Sequence, residues 1–307
     1  MRIAIVGAGA MGSLYGGVLA ENGHEVIFID PYREHMQAVR ENGLTIVKEG
    51  QSRVIRGMCA VEDAEGLDPV ELLIVFVKST LTGEAVRANR HLAGKDTMVL
   101  TLQNGLGNIE QLESVVDRSQ ILAGTSANGA SLEGPGSIRH AGWGGTTIGE
   151  PDGTHSERIR RLADILGTGE LGPVTVSDNV LGLIWDKLIA NVGINPLTAL
   201  TRLRNGELLE HPELEDWMES LVQEAAAVAQ AEGIRLSMAD PAGHCRSIAQ
   251  ATAGNISSML ADVLRNKRTE IDSINGAVVR IGKRHGIETP ANALVTALIR
   301  GLEHTQL

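Results

Sequence analysis

Aromatic residues are scarce in this chain: three Trp, two Tyr and two Phe among 307 residues. Stacking platforms for bases or sugars are therefore not expected, and the core must be built from Leu, Ile, Val and Ala. Basic residues are also in deficit. Twenty-seven Lys and Arg against 38 Asp and Glu leave a formal charge of −11, which argues against a nucleic-acid or anionic-membrane partner. That balance still permits a local positive pocket for a small anion. Cysteine is nearly absent. Cys59 and Cys245 belong to no CxxC or CxxH pattern, so two buried thiols of a reducing compartment are expected rather than a disulfide. No apolar run approaches the roughly 18–20 residues of a membrane-spanning helix, the longest being Leu72–Val77. Before the first glycine only Ile3–Val6 is apolar, shorter than the roughly 7–15 residues of an export core, and a cytoplasmic chain is expected.

With disorder excluded by an apolar fraction of 43%, the length fits two domains of about 100–200 residues each. The first thirty residues carry the sharpest local signal. Ile3-Ala4-Ile5-Val6 reads as a strand buried on both faces of a parallel sheet. Gly7-Ala8-Gly9-Ala10-Met11-Gly12 follows as G-x-G-x-x-G, then a helix from Gly12 to Asn22 closed by Gly23, then a strand Glu25–Ile29 ending in Asp30. In that order Gly7 permits the tight turn, Gly9 lets backbone approach a pyrophosphate, and Gly12 lets helix and strand pack. Ala10 and Met11 lie at the helix start, where free N–H groups and the positive dipole end face the phosphates. The acid after the second strand completes a dinucleotide fingerprint. Asp30 suits the ribose hydroxyls of NAD and repels a 2′-phosphate, whereas Arg33 would pair with that phosphate, so NADH and NADPH both remain open with a lean to NAD.

Strand-like and helix-like segments keep alternating through the first half. Leu72–Val77 and Thr97–Leu102 read as buried strands, and Lys78 and Asn104 follow them, at the carboxyl ends where a doubly wound sheet binds its ligand. Gly124–Gly149 reads as strands and turns. After about residue 176 the pattern becomes helical: Leu181–Leu200, His211–Glu232, Pro241–Gln250, Ile256–Arg265, Glu270–His285 and Pro290–Leu302. The expected organisation is an α/β Rossmann-type dinucleotide-binding domain over 1–176 and an all-helical substrate domain over 177–307.

In the second half, Lys187, Asn191 and Asn195 are spaced i, i+4, i+8 and share one helix face. Pro196 disfavours the α conformation at Asn195, so the helix should kink or end there. A solvated helix edge is the plain explanation of such a trio; a pocket with a cationic proton donor and two amides is the functional one. Further on, one continuous helix would set Ser258 and Glu270 roughly 18 Å apart. Arg265–Arg268 instead looks like a break, with Asn266 suited to a left-handed conformation and Thr269 to a new N-cap. A turn there would bring Glu270 back toward Ser258.

These residues resemble the ketopantoate reductases (2-dehydropantoate 2-reductases) over essentially the whole chain. The resemblance rests on GAGAMG at 7–12, VK at 77–78, QNG at 103–105, WDKLIANVGINPLTAL at 185–200, RNGEL at 204–208, NISSML at 255–260 and TEID at 269–272. It implies a Rossmann-type first domain, a 6-phosphogluconate dehydrogenase-like helical second domain and a substrate cleft between them. It further implies reduction of ketopantoate to (R)-pantoate, a step of pantothenate and coenzyme A biosynthesis. Lys187 matches the family's catalytic lysine and Glu270 its motif glutamate. Asn191, Asn195, Asn205 and Ser258 match substrate-binding positions, while Lys78 and Asn104 match cofactor-side positions. Asp30 departs from the arginine or other basic residue typical of NADPH-using members; some relatives in the wider family that reduce other 2-keto acids with NADH have an acid there.

The chemistry needs these residue types. Hydride delivered to a ketone carbon leaves charge on oxygen, and a cationic donor within hydrogen-bond reach must meet it. The alternatives are an NAD-dependent (R)-2-hydroxy acid dehydrogenase of mandelate type and a non-catalytic dinucleotide sensor. No metal site is expected: the nine histidines lack zinc spacing, and G-x-S-x-G, the P-loop and H-E-x-x-H are absent. Ser177-Asp178-Asn179 echoes a β-lactamase signature, but without any S-x-x-K it is chance. A homodimer is expected.

Overall fold

The computed structural model describes residues 1–142 and 144–306, and for Gln306 the backbone alone. The chain divides into two units: 1–103 with 108–180, and 104–107 with 181–307.

The first unit begins with β1 (Arg2–Val6), α1 (Ala10–Glu21), β2 (Glu25–Ile29), α2 (Arg33–Asn42), β3 (Leu44–Lys48), β4 (Gln51–Ile55), β5 (Cys59–Val61) and β6 (Leu72–Val75). It continues through α3 (Thr82–Ala88), β7 (Met98–Thr101), α4 (Asn108–Glu113), β8 (Ile121–Ser126), β9 (Gly129–Gly134), β10 (Ser137–Gly142), β11 (Thr146–Gly149), α5 (Glu157–Leu166) and β12 (Val174–Val176). Among the described residues an eight-stranded sheet runs β12-β11-β8-β7-β6-β1-β2-β5. From β5 to β8 every pairing is parallel, which is the 3-2-1-4-5-6 order of a dinucleotide-binding fold. β11 adds antiparallel to β8, and β12 parallel to β11. Ile3, Ile5, Phe28 and Leu72 face one apolar cluster and Ala4, Ile27, Leu73 and Val99 another. Burial on both faces explains why these strands read as continuous apolar runs rather than alternations.

A second sheet, β4-β3-β10-β9, lies on the far side of α1. α1 is therefore buried all round, and its small residues set the spacing. A Cβ on Gly16 would stand 2.2 Å from the Phe28 ring, and one on Gly17 2.8 Å from Leu44. Gly23, at φ +84°, closes α1 in the left-handed region.

The second unit holds α6 (Val180–Thr201, apart from its first residue), α7 (Pro212–Ala231), α8 (Pro241–Ala251), α9 (Ser258–Leu264), α10 (Asn275–His285) and α11 (Pro290–Gln306). Trp185, Val192, Leu221, Cys245, Met259 and Val278 share its core. No helix of the described residues is long and apolar enough to cross a membrane.

Several local expectations are corrected. The strand beginning at Leu72 stops at Val75: Phe76 gives a last N–H to the Val6 carbonyl at 2.8 Å, and Val77 lies outside the strand. The helix expected from Ile256 starts at Ser258, because Ser257 caps it: its Oγ accepts the Leu260 N–H at 3.0 Å. The helix expected from Glu270 starts at Asn275, after a turn in which the Glu270 carbonyl accepts the N–H groups of Ser273 and Ile274. Asn266 does take the left-handed conformation, at φ +51°. Thr269 accepts the Ile271 N–H and donates to Glu303 without starting a helix. Pro196 does not end α6, which runs on to Thr201. Both cysteines are free thiols, and Cys59 is exposed rather than buried.

Candidate active site

The glycine loop lies between β1 and α1. Gly7 stands at φ +93°, and a Cβ there would come within 2.5 Å of the Val77 nitrogen. At Gly12 a Cβ would lie 2.1 Å from the Gly7 carbonyl oxygen, so the helix can start only with hydrogen at that position. Gly9 differs from both. It is exposed, adopts φ −65°, and a Cβ on it would meet nothing within 4 Å. No side chain caps α1, so the N–H groups of Ala10 and Met11 at its first turn are presented with the positive end of the helix dipole. Open space over Gly9 beside a free helix start fits a pyrophosphate.

One residue that the sequence reading passed over steadies this loop. His35 on α2 is buried; its Nδ1 accepts the Gly136 N–H at 2.9 Å, and its Nε2 lies 3.0 Å from Ser13 Oγ. Ser13 donates its own hydroxyl to the Ala8 carbonyl at 2.8 Å. The acceptor role of Nδ1 puts the proton on Nε2, so the ring is neutral and bonded on both sides. Burial pushes its pKa below the usual histidine value, with the Asp30 charge and the Ala8 carbonyl opposing. No pattern in the sequence distinguishes this histidine from an exposed one on the same helix.

Asp30 follows β2, and its carboxylate accepts the Tyr32 N–H at 2.9 Å. Arg33 is 3.6 Å from Glu62, just past the neighbouring strand β5. Lys78 is exposed at the start of the turn after β6. Gln103, whose role the sequence reading left unassigned, ties these strand ends together. Its Nε2 donates to the Val77 carbonyl at 2.6 Å and to Thr82 Oγ1 at 2.7 Å. Asn104 is grouped with the helical unit, where the adjacent Leu106 N–H donates to the Ser273 carbonyl at 2.8 Å.

In the helical unit Lys187 sits on α6 beside the buried Asp186 and Leu188. Desolvation lowers its pKa from 10.5 to about 8, against the charge of Glu270, which acts to raise it. The lysine and the glutamate are thus brought into electrostatic reach of one another. Asn191 is half-buried on the same helix. Asn195 is 4% exposed, and its Nδ2 has no hydrogen-bond partner. Asn205 is 8% exposed; its Nδ2 donates to Thr252 Oγ1 at 2.9 Å, while its Oδ1 is unpartnered.

Ser258 is exposed at the first position of α9, whereas its neighbour Ser257 is buried and occupied as the cap. Hydrogen bonds link these places: Asn205 N–H to the Asn255 carbonyl at 3.0 Å, and Thr198 Oγ1 to Ser257 Oγ at 2.7 Å and to the Asn195 carbonyl at 3.0 Å. A buried polar atom without a partner costs about 1–3 kcal/mol. A donor on Asn195, on the same helix as the low-pKa lysine, and an acceptor on Asn205 are groups that a small polar ligand with an acceptor and a hydroxyl would satisfy. Among the described residues no cluster of His, Cys, Asp or Glu could hold a metal ion.

A sheet in dinucleotide-binding order with an open glycine loop, joined to a helical unit carrying a low-pKa lysine, fits the class to which the relatives belong: a nicotinamide-dependent oxidoreductase acting on a CH–OH group. The comparisons give the family. The ketopantoate reductase PanE/ApbA model matches residues 3–153, and the ketopantoate reductase PanE/ApbA C-terminal model matches residues 179–303. The chain belongs to the ketopantoate reductase family. It is 40% identical to the 2-dehydropantoate 2-reductase of Halobacterium salinarum over 98% of each chain. To that of Pyrococcus abyssi it is 35% identical, over 99% of this chain and 98% of the other. Among solved structures, a PanE/ApbA family ketopantoate reductase from Ralstonia eutropha JMP134 superposes with TM-score 0.91 at 37% identity, covering 100% of this chain and 99% of that one. A ternary structure of D-mandelate dehydrogenase with NADH and anilino(oxo)acetate gives TM-score 0.93 at 33% identity, with 100% and 99% covered.

Proposed function

We propose that this protein is a 2-dehydropantoate 2-reductase that converts ketopantoate to (R)-pantoate, with Lys187 as the general acid. The observation that carries the reading is the lysine itself, a cation held near neutrality on the face that also carries Asn191 and the unpartnered Asn195. Gly7, Gly9 and Gly12 shape the loop for the pyrophosphate, Ala10 and Met11 offer N–H groups to it, and Asp30 takes the ribose, with Lys78 and Asn104 as further cofactor contacts. The reduced nicotinamide, when bound, supplies the hydride. Lys187 Nζ then gives its proton to the carbonyl oxygen as negative charge develops there. Glu270 keeps the lysine charged and oriented. Asn191, Asn195, Asn205 and Ser258 bind the carboxylate and hydroxyl of the substrate without adding charge, so that the lysine is the cation the oxyanion meets.

The second reading, an NAD-dependent (R)-2-hydroxy acid dehydrogenase of mandelate type, is favoured by one feature. Asp30 and the Glu62–Arg33 pair put two carboxylates near the ends of β2 and β5, which opposes a 2′-phosphate and supports NADH.

Lys187→Ala separates an enzyme from a dinucleotide sensor. Turnover should fall by about 10²-fold or more, while NADH titrated by fluorescence should bind as in the unaltered protein. Retained turnover would remove Lys187 from the mechanism.

A further inference from the structure

Pro196 lies inside α6, and a proline has no N–H to give to the carbonyl four residues back. That carbonyl belongs to Val192, in the buried core of the helical unit. It is not abandoned. Asn275 Nδ2, on the first residue of α10, donates to the Val192 oxygen at 3.1 Å. A carbonyl only accepts, so the amide atom facing it must be nitrogen, and the orientation of this fully buried side chain is fixed. Its second N–H goes to Asn292 Oδ1 at 3.0 Å; Asn292 in turn donates to the Leu221 carbonyl at 3.1 Å and to Glu224 at 2.7 Å. Asn275 Oδ1 is left without a partner, a desolvation cost carried in the buried core.

The two ends of this bond matter. Val192 follows Asn191 directly and lies five residues beyond Lys187 on the same helix. Asn275 closes the turn that begins at Glu270, whose carbonyl takes the Ser273 and Ile274 N–H groups at 3.1 and 3.0 Å. One hydrogen bond therefore ties the segment carrying the lysine and its amides to the segment carrying the lysine's counter-charge. On the other side of Pro196, Thr198 Oγ1 is bonded to the Ile194 and Asn195 carbonyls and to the α9 cap Ser257.

We propose that Asn275 is a positioning residue for the reduction: by replacing the N–H that Pro196 lacks, it fixes the Lys187–Asn191–Asn195 face relative to Glu270. The proposal rests on the reading of Lys187 as the acid. A double-mutant cycle tests it, because Pro196→Ala restores a backbone N–H opposite Val192 and makes the Asn275 donor redundant there. Asn275→Ala alone should raise KM for the keto acid and lower kcat, about tenfold in their ratio, with KM for the nicotinamide cofactor unchanged. In the Pro196→Ala background the same change should cost only a small part of that, and the thermal stabilities should be coupled in the same direction. Additive losses, or unaltered keto acid kinetics in a folded Asn275→Ala variant, would overturn the proposal. Should Asn275→Ala fail to fold, recovery of the fold in the double variant supports it and failure to recover rejects it. An active Lys187→Ala variant would instead sink the catalytic reading while leaving the stability coupling between 196 and 275 intact.

Discussion

At the scale of single residues, the proposed mechanism turns on the proton of Lys187. With a pKa near 8 rather than 10.5, the free enzyme is mostly protonated at pH 7 and loses the acid as pH rises. Reduction, followed as kcat/KM for the keto acid, should therefore decline through about pH 8. Oxidation of the hydroxy acid needs the neutral amine and should rise across the same range. A pH profile flat from 7 to 10 in both directions would contradict this assignment. The same shift bears on stability. Between about 8 and 10.5 the unfolded chain binds the proton more tightly than the fold does, so stability rises with pH over that window and the full penalty is present below it. Lys187→Met should thus be more stable at pH 7, by roughly 1–3 kcal/mol in denaturant unfolding, while losing activity. A less stable variant would show that the charge is better accommodated than its depressed pKa implies.

At the scale of elements, the glycine loop separates folding from binding. Gly7 and Gly12 are required by the chain's own packing, whereas a Cβ on Gly9 would meet nothing within 4 Å. Gly9→Ala should leave thermal stability unchanged and weaken NADH binding by about tenfold or more; unaltered affinity would place the pyrophosphate elsewhere. β1 and β2 were legible because burial on both faces writes an unbroken apolar run. The second sheet was legible only in part: β9 and β10 fall in the stretch 124–149 that reads as strands and turns, whereas β3 and β4 were not legible, β4 burying only Ile55 and so showing neither a run nor a clean alternation. Pro196 was legible as an interruption, yet its outcome was not. Whether a proline ends a helix depends on a donor reaching the freed carbonyl, and that donor, Asn275, comes from 79 positions further along the chain. In the sequence, Asn275 lies inside the helix expected over Glu270–His285, and nothing there marks it as that donor.

At the scale of the whole molecule, alternation in the first half and unbroken helical periodicity in the second made the two-part fold class readable. The assignment of 104–107 to the helical unit was not, because it rests on the long-range contact between Leu106 and Ser273. The candidate site was readable in its spacing: Lys187, Asn191 and Asn195 do share one helix. What spacing could not give is which polar atoms the fold leaves unpartnered, among them Asn195 Nδ2 and Asn205 Oδ1, which the proposed substrate would satisfy. The acidic balance of the chain has a local counterpart after β2, where the Asp30 carboxylate accepts the Tyr32 N–H and Arg33 is already matched with Glu62. These features bear on the proposed choice of cofactor.

The most direct test is a set of initial rates on the purified protein with NADH and NADPH in parallel, against ketopantoate and a panel of aryl and branched 2-keto acids. Ketopantoate should lead the panel in kcat/KM, and NADH should outperform NADPH. Inert ketopantoate with rapid turnover of an aryl acid would keep the family and the lysine chemistry but contradict the substrate proposed for this chain.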